Sequence, residues 1–336
     1  MYALERLLIE MLAAIRQIMT IGEYKLTTTA SIGVACFPKD SEDKQTLLKY
    51  ADSAMYHAKE NGKDTFSFYT EALSLSTMRK HLLQQELRNA LQNKEFSLVY
   101  QPQYYLSTKK ISGVEVLVRW KNKRLGNVSP EEFILVAEDT GLIIDLGYHI
   151  FKEACMTYMD WQKKGIYIDL LAINVSSVQL QQPNALEKFK EILNETGMDA
   201  KHIELELTER YIMEYSTEKL TILDDLRSLG CRISIDDFGT GYSSMSYLRS
   251  LAIDTIKIDK SFILELPDNT NDAEVSKAII VLSQSLGYEV IAEGIETVEQ
   301  EALLRSYNCD MGQGYYFARP MTSDDIVAFY YKKEKK

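Results

Sequence analysis

The spacing of apolar residues gives the chain two stretches of different rhythm. Residues 4–19 repeat apolar positions at intervals of three and four, which predicts a helix. TTTASIGVACF (27–37) is β-branched and apolar, which predicts a strand, and Pro38-Lys39-Asp40 closes it as a turn. Over 46–60, Leu47, Leu48, Ala51, Ala54, Met55 and Ala58 form one helical face, and Asn61-Gly62 stops it in the manner of a left-handed cap. A short strand is expected over 65–69. Helix, strand, helix and strand are too little for a full α/β domain, so residues 1–70 read as a fragment. Residues 73–91 are polar-amphipathic, with Leu82, Leu83, Leu87 and Leu91 set between Arg79, Lys80, Glu86 and Arg88. They predict a helical connector over 71–90. No Gly/Ser-rich or Pro-rich tether separates the two parts.

From Phe96 onward strands and helices alternate. Strand-like runs are expected at 97–101, 111–118, 168–175, 203–208, 232–236, 253–259, 289–292 and 314–317. Helical runs fall at 130–138, 145–164, 185–196, 217–229, 273–286 and 297–307. Eight strands alternating with helices fit an α/β fold of the (β/α)8 TIM-like barrel type, over 91–336, better than a doubly wound sheet. No GxGxxG follows a strand, which weakens a dinucleotide-binding alternative.

Composition narrows the classes. The chain has 336 residues, enough for roughly two domains. At 46% hydrophobic and 26% charged it has an ordinary globular make-up. A net charge of −11 argues against a nucleic-acid polymer as partner, which would need a basic stripe. It leaves room for an anionic small ligand, because bound cations invert a local field. Cys36, Cys155, Cys231 and Cys309 are widely spaced, without CxxC or Cys/His clusters, and read as reduced thiols of a cytoplasmic protein. No run approaches the ~18 apolar residues of a membrane span. The N-terminal helix, with Glu5, Arg6, Glu10 and Arg16, is amphipathic and unlike a signal peptide. A full-length protein could still be tethered to a membrane by upstream sequence.

In a barrel of this type chemistry sits where strands end, and polar residues collect there. Glu115 lies in the second strand, with Arg119 just beyond. Asn174 ends the third, and Glu206 and Glu209 bracket the end of the fourth. Asp236 and Asp237 end the fifth, Lys257 and Asp259 the sixth; Glu293 and Glu296 follow the seventh, and Gln313 opens the eighth. Each alone has an ordinary structural reading. Asp-Asp before Phe-Gly is commonly a turn or helix cap, and a strand-end glutamate is commonly a solvated rim residue. DFG (237–239) does not make a kinase, because no Gly-rich loop or HRD-type loop accompanies it. The sequon NVS (174–176) has no meaning on a cytoplasmic barrel strand. Recurrence shifts the balance: successive strands end in acids, an amide or a lysine at one pole. Converging carboxylates repel unless cations neutralise them. The candidate donors Glu115, Asn174, Glu206, Asp236, Asp237 and Glu293 are all oxygen ligands, which select Mg²⁺ or Mn²⁺ over zinc. That many donors exceed the needs of one ion and suit two ions about 3.5–4 Å apart, an arrangement that favours phosphate ester hydrolysis. His57, His81, His149 and His202 fall elsewhere and read as surface groups.

Two resemblances follow from these motifs. SIGVACFPKD with ADSAMYHAKENGKD resembles the C-terminal half of a GGDEF (diguanylate cyclase) domain over residues 4–70. The signature loop and nucleotide residues of that family are absent, which implies no cyclase activity. YQPQ, EVLVRW, SPEEFILVAE, NVS, ELELTE, DDFGTGYSSMSYL, KIDKSF, VIAEGIE and GQGYYFARP, in that order over about 78–331, resemble the EAL family of cyclic di-GMP phosphodiesterases. That resemblance implies two Mg²⁺ or Mn²⁺ ions and hydrolysis of cyclic di-GMP to linear pGpG. It implies Glu115, Asn174, Glu206 and a bridging Asp236 as metal ligands, Asp237 as ligand of the second ion, and Glu293 as ligand or general base. Lys257 is implied to touch the nucleophilic water. Asp259 and Glu296 are implied as ligand-side partners, Glu209 as anchor of the loop after Asp237, and Gln101, Arg119 and Gln313 as substrate contacts. It also implies a homodimer, through a helix at about 243–251.

Two departures stand out. Val116 replaces the signature alanine, and Met245 replaces a usual leucine, a swap that conserves volume. Alternation along the strand turns Val116 away from Glu115. Neither change removes a ligand. Val116 and the partial cyclase segment motivate a competing reading, a receptor that binds cyclic di-GMP and signals to a partner. A third reading makes residues 1–70 a dimerising or regulatory module with an open sheet edge.

Overall fold

The computed structural model describes residues 2–22, 24–214, 221–241, 248 and 251–334. The chain divides into two compact units, Met1–Glu86 and Leu87–Lys336.

The first unit opens with α1 (Tyr2–Ile15), followed by an antiparallel ribbon of β1 (Met19–Ile21) and β2 (Tyr24–Leu26). The sequence pattern does not predict this ribbon, because three-residue strands are too short to show alternation. Next come β3 (Ile32–Val34), α2 (Lys44–Glu60) and β4 (Phe66–Phe68), with β3 and β4 paired in parallel around α2. The strand expected over 27–37 is thus only Ile32–Val34. Asp43 caps α2 by accepting from the Thr46 N–H, and Gly62 follows its end at φ 95°. Gly33 brings helix and strand together: a Cβ there would lie 1.8 Å from the Ala51 carbonyl oxygen. The helix α3 (Glu71–Ala90) follows.

The second unit is built on β5 (Phe96–Tyr105), β6 (Ile111–Asn122) and β7 (Gly126–Val128), then α4 (Pro130–Thr140) and α5 (Ile143–Lys163). β8 (Leu170–Asn174), α6 (Ser177–Leu180), α7 (Ala185–Thr196), β9 (Ile203–Thr208), α8 (Glu209–Glu214) and α9 (Thr221–Ser228) come next. They lead to β10 (Arg232–Phe238), β11 (Thr255–Ile258), α10 (Thr270–Ser285), β12 (Glu289–Ala292), α11 (Val298–Ser306), β13 (Met311–Gly312) and α12 (Ser323–Glu334). Among the described residues the sheet has nine strands. β7 is a hairpin arm on β6, and the other eight close into a barrel through β5, which pairs with both β6 and β13.

This is the expected α/β barrel with two corrections. β5 runs antiparallel to both neighbours. Only residues 106–110 join it to β6, too few for the crossover that parallel pairing requires. The eighth strand is Met311–Gly312, upstream of the expected 314–317. Residues 314–317 form a turn in which Phe317 and Ala318 donate to the Gly314 carbonyl at 3.1 Å each. The aromatic run Tyr315-Tyr316-Phe317 imitated a strand, but Phe317 stacks on Tyr104 with ring centroids 4.9 Å apart. The helix expected over 217–229 is described as α9, residues 217–220 lying outside the described residues. The helix expected over 243–251, including Met245, lies outside them apart from positions 248 and 251.

Alternation along the strands sorts the barrel. Val114, Val116, Leu171, Ile173, Leu205, Leu207, Ile233, Ile235, Ile256 and Ile258 join the buried core. Their neighbours in sequence face the other way, and many are polar. Cys155, Cys231 and Cys309 are buried free thiols, and burial pushes each up to about 12. Among the described residues no helix is long and apolar enough to cross a membrane.

Ile256 is fully buried in this core. Ile256→Ala should cost about 2–5 kcal/mol, from lost transfer energy plus a residual cavity. Urea unfolding of the barrel checks it, and a change below about 1 kcal/mol would contradict the packing described.

Candidate metal centre

The strands bring their polar residues together by alternation. On β6, Glu115, Leu117 and Arg119 share one face; Val114, Val116 and Val118 share the other. Val116 is 3% exposed and packs in the core, on the face opposite Glu115. Glu115 is level with Gln101 across the antiparallel pair and with Ala172 on β8. Asn174 ends β8 level with Glu206 on β9, which is level with Ser234 on β10.

Asp236 and Asp237 need a further device. Adjacent strand residues ordinarily point to opposite faces. Here Ile235 pairs with Ile256 and Phe238 with Ile258, so two residues of β10 oppose the single Lys257. This is a β-bulge, and Asp237 sits in it at φ 55°, in the left-handed region. The bulge turns both carboxylates to one side. Asp236, Asp237 and Glu293 each offer an oxygen, and these atoms all lie within 4.8 Å of one another.

Lys257 stands at the centre and is completely buried. Its Nζ lies 2.8 Å from Glu206 Oε1, 2.8 Å from Glu293 Oε1, 3.1 Å from Asp236 Oδ1 and 3.9 Å from Glu115 Oε1. Burial opposes its charge, but the four carboxylates outweigh burial and hold its pKa well above the ordinary lysine range. One ammonium does not balance four acids. Burial first, with Glu115 and Asp236 adding, raises Glu206 well above the usual range against the pull of Lys257. Burial, then Asp236 and Glu115, push Glu293 up to about 8, again against Lys257. Asp237 is pushed up to about 6 by burial and by the Asp236 and Asp259 charges.

Amides frame the acids. Asn174 Nδ2 donates to Glu115 Oε1 at 2.9 Å and to Glu206 Oε2 at 3.0 Å. Gln313 Nε2 donates to Glu115 Oε2 at 2.6 Å and to Gln101 Oε1 at 3.1 Å. Gln313 follows β13, at the pole where the parallel strands end. Gly314 is required beside it, because a Cβ there would lie 2.0 Å from the Ile295 carbonyl oxygen. That close approach, with Ile295 N–H donating to Gln313 O at 3.0 Å, fixes the loop that carries Glu293.

Other candidates lie around this cluster. Glu209 is buried; its Oε2 accepts from Gly239 N–H at 2.9 Å and Gly241 N–H at 3.3 Å, tying down the turn after Asp237. Asp259 neighbours Asp237, but its Oδ1 accepts from the Ser261 N–H at 3.0 Å. Glu296 is exposed, and its backbone N–H, 2.7 Å from Gln300 Oε1, is what fastens it. Arg119 is half-buried, and its Nη1 donates to the Val118 carbonyl at 2.9 Å. Sequence reasoning missed Gln103, which is 2% exposed and donates from Nε2 to Gln313 Oε1 at 3.0 Å. Gln101 and Gln103 share one strand face, but nothing local points to the bond with Gln313, which is distant in sequence.

The cluster fits a divalent cation. Glu206 Oε1 and Asp236 Oδ1 are buried and lack a hydrogen-bond partner; their approaches to Lys257 are ion-pair distances without hydrogen-bond alignment. Hard oxygen donors of this kind suit a divalent cation.

The EAL domain family model matches residues 84–320, and the model for the diguanylate cyclase GGDEF domain matches residues 2–65. The signaling protein YkoW of Bacillus subtilis is 40% identical over 309 residues, covering 92% of this chain and 38% of that protein. The bifunctional diguanylate cyclase/cyclic di-GMP phosphodiesterase MucR of Pseudomonas aeruginosa is 35% identical over 314 residues, covering 94% of this chain and 46% of that protein. The chain thus spans less than half the length of either relative. A solved structure described as PaMucR phosphodiesterase, c-di-GMP complex, superposes with a TM-score of 0.70 at 36% identity, over 73% of this chain and 99% of that one.

The raised carboxyl of Glu293 sets a pH dependence for the cation-free protein. Its folded value of about 8 exceeds the ordinary 4.5, so its contribution to stability is complete below pH 4.5 and is lost as pH rises through 8. Asp237 adds less, because its exposure lets solvent screen it. In EDTA the thermal midpoint should fall by on the order of 5 °C between pH 6 and 8.5, and Mn²⁺ should restore it. Glu293→Gln should flatten the decline. Thermal unfolding across pH measures this, and a midpoint in EDTA that holds constant over the window would contradict it.

Proposed function

This chain belongs to the EAL family, with the C-terminal part of a GGDEF domain ahead of its barrel. On that premise we propose that it hydrolyses cyclic di-GMP to linear 5′-pGpG, using two Mg²⁺ or Mn²⁺ ions. The observation that carries the reading is the crowd of carboxylates around Lys257, whose excess negative charge and oxygens without a hydrogen bond call for divalent cations. Relatives named as acting on or binding cyclic di-GMP supply the substrate class.

In this reading Glu115, Asn174, Glu206, Asp236, Asp237 and Glu293 would hold the two ions. Asp259 and Glu296 are assigned to the ligand side. When bound, the ions polarise water and neutralise the phosphoryl oxygens. Water oxygen joins phosphorus, the P–O3′ bond breaks, and the 3′ oxygen leaves as a hydroxyl carrying the proton that Glu293 removes from the water and passes on. Lys257 Nζ, kept protonated by its carboxylates, donates to that water and orients it. Glu293 takes the water's proton. Gln313, Gln101 and Arg119 bind the dinucleotide, and Glu209 holds the turn that keeps Asp237 in its bulge. We also assign residues 1–70 to the partial cyclase-like domain, 71–90 to a connector and 91–336 to the phosphodiesterase barrel. A homodimer in the cytoplasm completes the assignment.

The test is direct. Purified chain with Mg²⁺ or Mn²⁺ should convert cyclic di-GMP to pGpG, followed by chromatography. Glu115→Ala and Asp236→Asn should each cut turnover at least ~10²-fold with the circular dichroism unchanged. Retained turnover in either would overturn its role. Binding without product in the unsubstituted chain would replace the enzyme with a cyclic di-GMP receptor.

A further inference from the structure

Three buried glutamine amides meet beside Glu115, and their donors and acceptors run in one direction. Gln103 Nε2 donates to Gln313 Oε1 at 3.0 Å. Gln313 Nε2 donates onward to Glu115 Oε2 at 2.6 Å and to Gln101 Oε1 at 3.1 Å. Gln101 Nε2 donates to the Ala318 carbonyl at 3.1 Å, which can only accept. That last bond fixes Gln101 with its oxygen toward Gln313. Gln101, Gln103 and Gln313 are 7%, 2% and 4% exposed, so water does not substitute freely for any of these bonds.

A primary amide has two orientations that differ by exchange of its oxygen and nitrogen. Reversed, Gln313 would set its oxygen against the Glu115 carboxylate and the Gln101 oxygen, and its NH₂ against the NH₂ of Gln103. Each contact would become like against like. Gln103 is the origin of the chain and the partner of the Gln313 oxygen. The fold makes room for it: Gln103 pairs across the sheet with Gly113, where a Cβ would lie 2.9 Å from Gln103 Oε1. We propose that Gln103 is a positioning residue, which acts through Gln313 to hold Glu115 Oε2 and so aims the Glu115 carboxylate for cation binding. This rests on the reading above that Glu115 is a cation ligand.

The measurement is Mn²⁺ affinity by calorimetry on the full chain without nucleotide. Gln103→Met keeps the volume and removes the donor. It should weaken Mn²⁺ binding ~10-fold, the scale seen when an outer partner of a metal ligand is lost. The Mn²⁺ concentration for half-maximal turnover should rise in step, with kcat at saturating Mn²⁺ nearly unchanged. In a Gln313→Met background the same substitution should add no further loss, which general damage to the fold would not reproduce. Gln103→Asn, which stays polar but falls short of Gln313, should show the same loss and serves where Gln103→Met does not fold. Unchanged Mn²⁺ affinity in these variants, or an equal loss in both backgrounds, overturns the positioning role alone. Failure of the unsubstituted chain to bind Mn²⁺ overturns both this role and the metal reading beneath it.

Discussion

Everything at the C-terminal end of this barrel answers to one electrostatic imbalance. Four carboxylates converge on a single buried ammonium, at 2.8–3.9 Å from Lys257 Nζ. In a site of low dielectric such a surplus of negative charge is costly; burial first, and then the neighbouring acids, raise the pKa values of Glu206 and Glu293. The rest of the chain holds the acids in place despite their repulsion. Seven parallel strands fix the backbone positions, Asn174 and Gln313 supply N–H donors, and a bulge brings in an extra carboxylate.

The bulge explains how two neighbouring aspartates serve one site. A regular β10 would have sent Asp237 to the side opposite Asp236. Inserting a residue opposite Lys257 and letting Asp237 take φ 55° removes that conflict at the expense of local strain. Glu209 offsets the strain from below, since its carboxylate accepts from Gly239 and Gly241 just past the bulge. Gly239 itself lies at φ 101° and approaches the Phe262 ring closely enough that a Cβ would be 2.8 Å from it. The sequence DDFG therefore encodes a shape as well as two convergent carboxylates.

What the sequence made legible follows from periodicity. The parallel strands alternate or run apolar, so their positions and the polar residues at their ends could be read directly. β5 ran backwards because a hairpin replaces a crossover, a fact carried by the length of the connection and easily passed over when strands are merely counted. The eighth strand was misplaced because Tyr315-Tyr316-Phe317 has strand-like composition, while tertiary packing of Phe317 on Tyr104 and of Gly314 on Ile295 makes it a turn. Gln103 was invisible for a different reason. Its importance lies in a bond to Gln313, which is distant in sequence, and no local pattern announces such a bond.

The two poles of the barrel show which charges belong to the fold and which await a partner. Glu204 and Glu206 lie two residues apart on β9, facing the same way, and both are buried. Glu204 Oε2 accepts from Thr255 Oγ1 at 2.8 Å and pairs with Arg232 Nε at 3.3 Å; Arg232 also meets Glu289. That end is neutralised from within the protein, as a structural ion pair should be. Glu206, one turn of the pleat higher, shares one lysine with three other acids and keeps an oxygen without a hydrogen bond. The same strand thus carries a balanced acid at its start and an unbalanced one toward its end. Stability alone would have favoured balancing both, so the imbalance marks the end of the strand whose acids are not neutralised from within the protein.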